Sequence, residues 1–121
     1  MKISEYIDTV NRRYKKGKIK EKSYRGDLNN LLESLLPNIS ITNNPKSIRF
    51  GGPNLTISQK GLPIGYIKTT DFGTDLNEID GIEAVRRYKA SLSNLITTNY
   101  LDFRWYKDGE LITSFSIGKL N

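Results

Sequence analysis

Histidine and cysteine are both absent from the 121-residue chain. Without histidine there is no Ser-His or Cys-His nucleophile pair, no imidazole metal ligand and no side chain whose ordinary pKa lies near neutrality. Without cysteine there is no disulfide framework and no thiolate zinc site. Any catalysis must therefore use carboxylates, lysine and a hard cation such as magnesium. Long apolar runs are missing too. No stretch reaches the length of a membrane span or a secretory apolar core, so the sequence reads as a cytoplasmic protein without membrane contact. Acids are in the minority, 13 against 19 lysines and arginines, for a net charge of +6. That balance favours a polyanionic partner such as DNA, although basic proteins that bind no nucleic acid are common. The length suits a single domain over residues 1–121 with one core.

The stretch from Arg49 to Gly73 organises the rest. Leu55 and Ile57 alternate with Thr56 and Ser58, and Lys60-Gly61 supplies a turn. Leu62 to Thr70 continues as a mostly apolar strand of the kind buried on both faces. A period of two places Tyr66, Lys68 and Thr70 on one face. Upstream, Ile3, Ile7, Val10 and Tyr14 recur at helical spacing behind a Ser4 cap, and Gly17 follows, which predicts a helix over 4–16. Tyr24, Leu28, Leu31, Leu32, Leu35 and Leu36 predict a second helix from Ser23, closed by Pro37. Ile39 and Ile41 begin a strand, Asn43-Asn44-Pro45 makes a turn, and Lys46 to Phe50 leads into the hairpin.

Beyond Gly73 a polar segment with Asp75, Glu78 and Asp80 gives way to Ile82, Val85, Tyr88, Leu92, Leu95 and Ile96, read as a third helix. Leu101, Phe103 and Trp105 then alternate with Asp102, Arg104 and Tyr106, Asp108-Gly109 forms a hairpin turn, and Leu111 to Ile117 is the return strand. The expected order is helix, helix, three strands, helix, two strands. It describes an α/β (α+β) domain whose mixed central sheet is flanked by helices, the third of which permits one parallel crossover.

The positive charge is concentrated. Arg12, Arg13, Lys15, Lys16, Lys18, Lys20, Lys22 and Arg25 crowd the junction of the first two helices, with Tyr14 and Tyr24 interleaved, and Arg86, Arg87 and Lys89 flank the third. Cations with aromatic support suit phosphate contact. A solvated helix end is the other reading, because a cluster in sequence need not be a patch in space.

Several segments carry a resemblance in the same order along nearly the whole chain: Glu21-Lys22-Ser23-Tyr24-Arg25-Gly26-Asp27-Leu28, Gly51-Gly52-Pro53-Asn54, Pro63-Ile64-Gly65-Tyr66-Ile67, Arg87-Tyr88-Lys89-Ala90-Ser91-Leu92 and Leu101-Asp102-Phe103. Together they resemble the amino-terminal domain that precedes adenine-specific DNA methyltransferases in fused restriction-modification enzymes. The resemblance implies a restriction-endonuclease-like, PD-(D/E)XK fold and the ancestry of a type II restriction endonuclease. In such nucleases the Asp of a Pro-Asp pair and an acid on the next strand hold a divalent cation, and a Lys two residues further on assists the attacking water. Here those positions read Asn54, Lys68 and Thr70, with Glu21 the one acid retained.

These departures bear directly on chemistry. Asn54 offers a carbonyl oxygen without charge, whereas magnesium sheds its hydration reluctantly and generally requires carboxylates. An ammonium at Lys68 repels a cation by roughly 4 kcal/mol per unit charge at about 4 Å and an effective dielectric of about 20. Thr70 supplies no cation, and no evident base activates its hydroxyl. Asp71 points to the opposite face if the strand stays regular, unless a bulge reverses it. The expectation is a catalytically impaired, nuclease-like DNA-binding domain without a resident cofactor, associated with a restriction-modification system and its methyltransferase. One alternative is an interaction or homodimerisation scaffold, signalled by an apolar patch around Phe72 or a sheet edge from Leu111 to Ile117. The other is a magnesium-dependent endonuclease with a rearranged site using Glu21, Asp71 or Asp75.

Overall fold

The computed structural model describes residues 1–17, 20–43 and 53–119, apart from the side chain of Glu21. A six-stranded sheet lies at the centre, and its spatial order repeats the sequence order: β1 (Ile39–Asn43), β2 (Leu55–Gln59), β3 (Leu62–Thr69), β4 (Asn94–Thr98), β5 (Asp102–Lys107) and β6 (Glu110–Ser116). Helices α1 (Ile3–Lys16) and α2 (Glu21–Leu35) precede it, and α3 (Leu76–Asp80) and α4 (Glu83–Ser91) connect β3 to β4. Neighbouring strands are antiparallel except β3 and β4, which run parallel because the α3–α4 crossover returns the chain to its starting side. The mixed α+β architecture and the single parallel crossover agree with the sequence.

Turn chemistry fixes the two tight hairpins. Lys60 and Gly61 (φ 52° and 80°) and Asp108 and Gly109 (φ 50° and 87°) all adopt the left-handed region, as a two-residue hairpin loop of the primed type requires. A Cβ at position 109 would also sit 3.4 Å from the Lys89 carbonyl oxygen, so glycine meets two constraints there.

One sheet face carries the main core. Tyr6 and Val10 of α1 and Tyr24, Leu28 and Leu31 of α2 pack with Ile41, Leu55, Ile67, Tyr100 and Phe103. Arg13 clamps the two helices together, its Nε 2.5 Å from Asp27 Oδ2 and its Nη2 3.1 Å from Asp27 Oδ1. The hydroxyl of Tyr6 donates to the Tyr100 carbonyl at 2.6 Å, and burial drives that phenol's pKa upward. On the opposite face Leu76, Ile79 and Val85 are buried. Leu95 stands in register with Tyr66 and Tyr106, so these three share a sheet face.

Five expectations need correction. The third helix does not run to Ile96: α4 stops at Ser91, Leu92 is extended, and Leu95 and Ile96 belong to β4. Ser93-Asn94 interrupts the helical period, and the β-branched run Ile96-Thr97-Thr98 fits the slot beside β3. The segment before α4 contains α3, capped by Asp75, whose side chain accepts from the Asn77 amide at 2.9 Å. Leu62 to Thr70 is not buried on both faces. Leu62 is 69% exposed, because β4 pairs only with Tyr66 to Thr69 and the first half of β3 projects beyond it. Ser4 does not cap α1, since Lys2 holds that position without a side-chain bond, and α2 begins at Glu21 rather than Ser23. Lys46 to Phe50 and the Asn44-Pro45 part of the expected turn lie outside the described residues. No helix among the described residues is long and apolar enough to cross a membrane.

Candidate nucleic-acid interface at the end of β3

Asn54 directly precedes Leu55, the first residue of β2 in register with β3, and its amide donates to the Ile67 carbonyl at 2.8 Å. The Asn54 side chain is buried. Its Oδ1 accepts from the Thr69 amide at 2.7 Å and from the Thr69 hydroxyl at 3.0 Å. An amide oxygen has two lone pairs, so both are committed within the hairpin. Along β3, Gly65, Ile67 and Thr69 are buried while Tyr66, Lys68 and Thr70 are half-buried, the period-two alternation expected for them.

Lys68, Thr70 and Asp71 line a cleft of about 320 Å³ whose far wall is Ile79, Ile82, Ala84 and Val85. Asp71 therefore borders the same cleft as Lys68; the opposite-face expectation applied only to a strand that stays regular through it. No bulge is involved. Regular strand ends at Thr69, the Thr70 amide donates to Thr98 at 2.9 Å, and the chain bends away. Asp75 belongs elsewhere: it caps α3 and lines a separate groove with Asp102, Arg104 and Ser114. Glu21 opens α2, and its side chain lies outside the described residues. Among the described residues no three carboxylates converge on a point that could hold a metal ion.

The basic residues divide into two kinds. Arg12, Lys15, Lys16, Lys20 and Lys22 are exposed at the adjoining ends of α1 and α2, while Lys18 lies outside the described residues. Arg13 is committed to Asp27, a hydrogen bond that holds its pKa above the ordinary arginine value. Arg25 is half-buried, with Nε and Nη1 enclosed and without a hydrogen-bond partner. An aromatic stack ties this basic end to the cleft. The Phe72 ring lies 5.2 Å from Tyr14 and 5.2 Å from Tyr24, nearly parallel to the latter, and Tyr24 is 5.5 Å from Tyr100. Phe72 is thus buried rather than the centre of an exposed apolar patch, because α1 and α2 close over it. It follows Thr70 by two residues, so the stack fixes the helix ends beside the segment leaving β3.

Across the cleft, Arg86 and Arg87 are exposed on α4. Lys89 is drawn away from them, its Nζ 4.5 Å from the Tyr106 ring centroid and 3.4 Å from the Asp80 carbonyl. The Tyr106 hydroxyl donates to Asp80 Oδ2 at 2.6 Å, and Arg104 donates to the same oxygen. Burial first, and then the Asp80 carboxylate, push the Tyr106 phenol up to about 12. Sequence reasoning missed this Asp80–Arg104–Tyr106 cluster and the Arg13–Asp27 clamp, since neither pairing has a local spacing signature.

The sheet order, the parallel β3–β4 pair and the flanking helices define an α+β domain built on one mixed sheet, the fold class expected from the sequence. No family profile and no curated protein sequence matches the chain. Among solved structures, the chain is similar to one in the cryo-electron-microscopy structure of the DrdV–DNA complex, with a TM-score of 0.67 and 16% sequence identity over 98% of this chain. The match spans 12% of that chain, and at this identity the likeness is one of fold.

Proposed function

We propose that the chain is a DNA-binding domain of nuclease ancestry that no longer cleaves, working within or beside a restriction-modification system with a methyltransferase as a partner. One observation carries the reading: Asn54 commits both lone pairs of its only side-chain oxygen to Thr69, while Lys68 lines the adjoining cleft at the position where the resembled nucleases carry an acid. The cleft that in the resembled nucleases would hold a metal beside the scissile phosphate is lined here by Lys68, which makes it more cationic. The exposed cations Arg12, Lys15, Lys16, Lys20 and Lys22 extend the positive surface from one side, and Arg86 and Arg87 from the other. Such side chains on backbone phosphates position a protein on a duplex without reading its bases. The DNA in the DrdV complex supports the same class of ligand.

The test is duplex binding measured over a range of salt concentrations. Neutralising about four phosphates gives a slope of log affinity on log salt of about −3.6. Lys68→Ala and Lys16→Ala should each weaken binding and lower the magnitude of that slope by about one. Affinity indifferent to salt, or unchanged in both variants, would remove the DNA-binding reading.

A further inference from the structure

Four aromatic rings form a column from the protein surface to the core. Tyr14, Phe72, Tyr24 and Tyr100 meet in that order, with ring centroids 5.2, 5.2 and 5.5 Å apart. Exposure falls along the column, from 47% at Tyr14 through 9% and 6% to none at Tyr100. The inner three rings are accounted for by the core they build. The outer one is not: Tyr14 lies in the last turn of α1, where Gly17 closes the helix on its carbonyl, and about half of its surface is left in water.

Among the described residues only Tyr14 and Phe115 are aromatic side chains so open. Phe115 belongs to a strand with no charged residue from Leu111 to Ser116. Tyr14 stands instead with the exposed cations Arg12, Lys15 and Lys16 of its own helix end, and exposed Lys20 opens α2 close by. Lys15 follows the ring by about 100° around the helix, beside it rather than over it. An open ring fringed by cations matches a nucleotide, with a planar base for the ring and phosphates for the ammonium groups. The column adds preorganisation. Phe72 meets Tyr14 at 45° and is itself nearly parallel to Tyr24, so the outer ring is backed before a ligand arrives and has little freedom left to lose. Phe72 directly follows Asp71, which places the column beside the cleft that Lys68 lines.

Magnitudes decide which bases such a ring takes. Stacking on one aromatic side chain strengthens binding by about five- to a hundredfold. Pulling a paired base out of a duplex offsets a gain of that order, so a paired base stays in the helix while one already unpaired is held. We propose that Tyr14 is a stacking platform for an unpaired base, so that the domain prefers DNA with an overhang, a bulge or a single-stranded stretch to continuous duplex. The proposal rests on the DNA-binding reading and adds a substrate class to it. Every base has a π face, so the preference is for pairing state and not for sequence.

Fluorescence anisotropy with three duplexes of equal length tests the proposal: one fully paired, one with a single unpaired thymine, and one with an abasic residue in place of that thymine. The last two carry the same phosphates, so the salt-dependent attraction cancels between them. The native chain should bind the unpaired thymine about five- to a hundredfold more tightly than the abasic residue. Tyr14→Leu, which keeps an apolar side chain against Phe72, should bring the two affinities together, and Tyr14→Phe should keep them apart. Equal affinities in the native chain overturn the proposal and leave phosphate contact standing. A preference that survives Tyr14→Leu overturns it as well. If none of the three duplexes is bound in a salt-dependent way, both readings fall. The comparison of thymine with abasic residue needs only the native chain, so it decides the matter even where Tyr14→Leu does not fold.

Discussion

Asn54 and Thr69 are joined twice, through the amide and the hydroxyl of Thr69 to the one side-chain oxygen of Asn54. That oxygen is oriented by the hairpin itself and has no lone pair left for a cation. The purified protein should leave supercoiled DNA intact with magnesium or manganese present, as read on an agarose gel. A metal-dependent nick lost on Asp71→Ala would restore the rearranged-nuclease alternative.

A carboxylate in the same place would behave differently. With two oxygens it could keep one on Thr69 and turn the other toward the cleft. The triple change Asn54→Asp, Lys68→Glu and Thr70→Lys should therefore bind manganese measurably by calorimetry, whereas Asn54→Asp alone should not, because Lys68 still repels the ion. A folded triple variant that binds no metal would show that the inherited site lies elsewhere.

Removing the Asn54 side chain leaves the buried Thr69 amide without its acceptor. Asn54→Ala should lower unfolding stability by about 1–3 kcal/mol, the usual cost of stranding a buried donor. Urea denaturation would detect this as a lower midpoint at unchanged slope. A neutral result would mean that water replaces the lost oxygen.

Arg13 separates packing from DNA contact. Its guanidinium is held by Asp27, so Arg13→Ala should destabilise the helix pair while leaving the salt slope of DNA binding nearly as it was. Lys16→Ala, exposed at the end of the same helix, should do the reverse. Thermal melts and binding isotherms on the two variants would show whether the effects cross over as expected.

The Tyr106 phenol gives a pH signature. Its pKa in the fold, pushed up to about 12, lies above the ordinary phenol value of 10.0, so the neutral form is favoured in the fold. As pH rises past the unfolded value, the unfolded chain loses its proton first, and this contribution to stability declines until the folded phenol ionises as well. Each pH unit across that window removes up to about 1.4 kcal/mol. Tyr106→Phe should flatten this part of the stability curve, so the gap between native and variant narrows between pH 10 and about 12.

The parts of this molecule legible in its sequence are those governed by local rules. Lys60-Gly61 and Asp108-Gly109 announce hairpins because few other residues reach the left-handed region cheaply, and the alternation through Tyr66, Lys68 and Thr70 follows directly from strand geometry. Leu95 and Ile96 were misread because they continue the spacing of Val85 and Tyr88, and only the vacancy beside β3 decides that they extend. The Arg13–Asp27 and Asp80–Arg104–Tyr106 contacts join residues whose proximity is created by folding. The orientation of Asp71 stayed conditional for a similar reason: alternation cannot say where a strand stops, and β3 stops at Thr69.

Two hydrogen bonds close the molecule upon itself. Tyr6 reaches the Tyr100 carbonyl across 94 positions, and Asn11 reaches the Lys119 carbonyl at 3.2 Å across 108. During synthesis α1 and α2 emerge ahead of the sheet, carrying Tyr6, Val10, Leu28 and Leu31 with much of the surface they will cover still untranslated. Closing loops of that length comes late. The core thus cannot be acquired helix by helix: α1 and α2 must wait, apolar faces open, until the segment from Tyr100 to Lys119 has emerged.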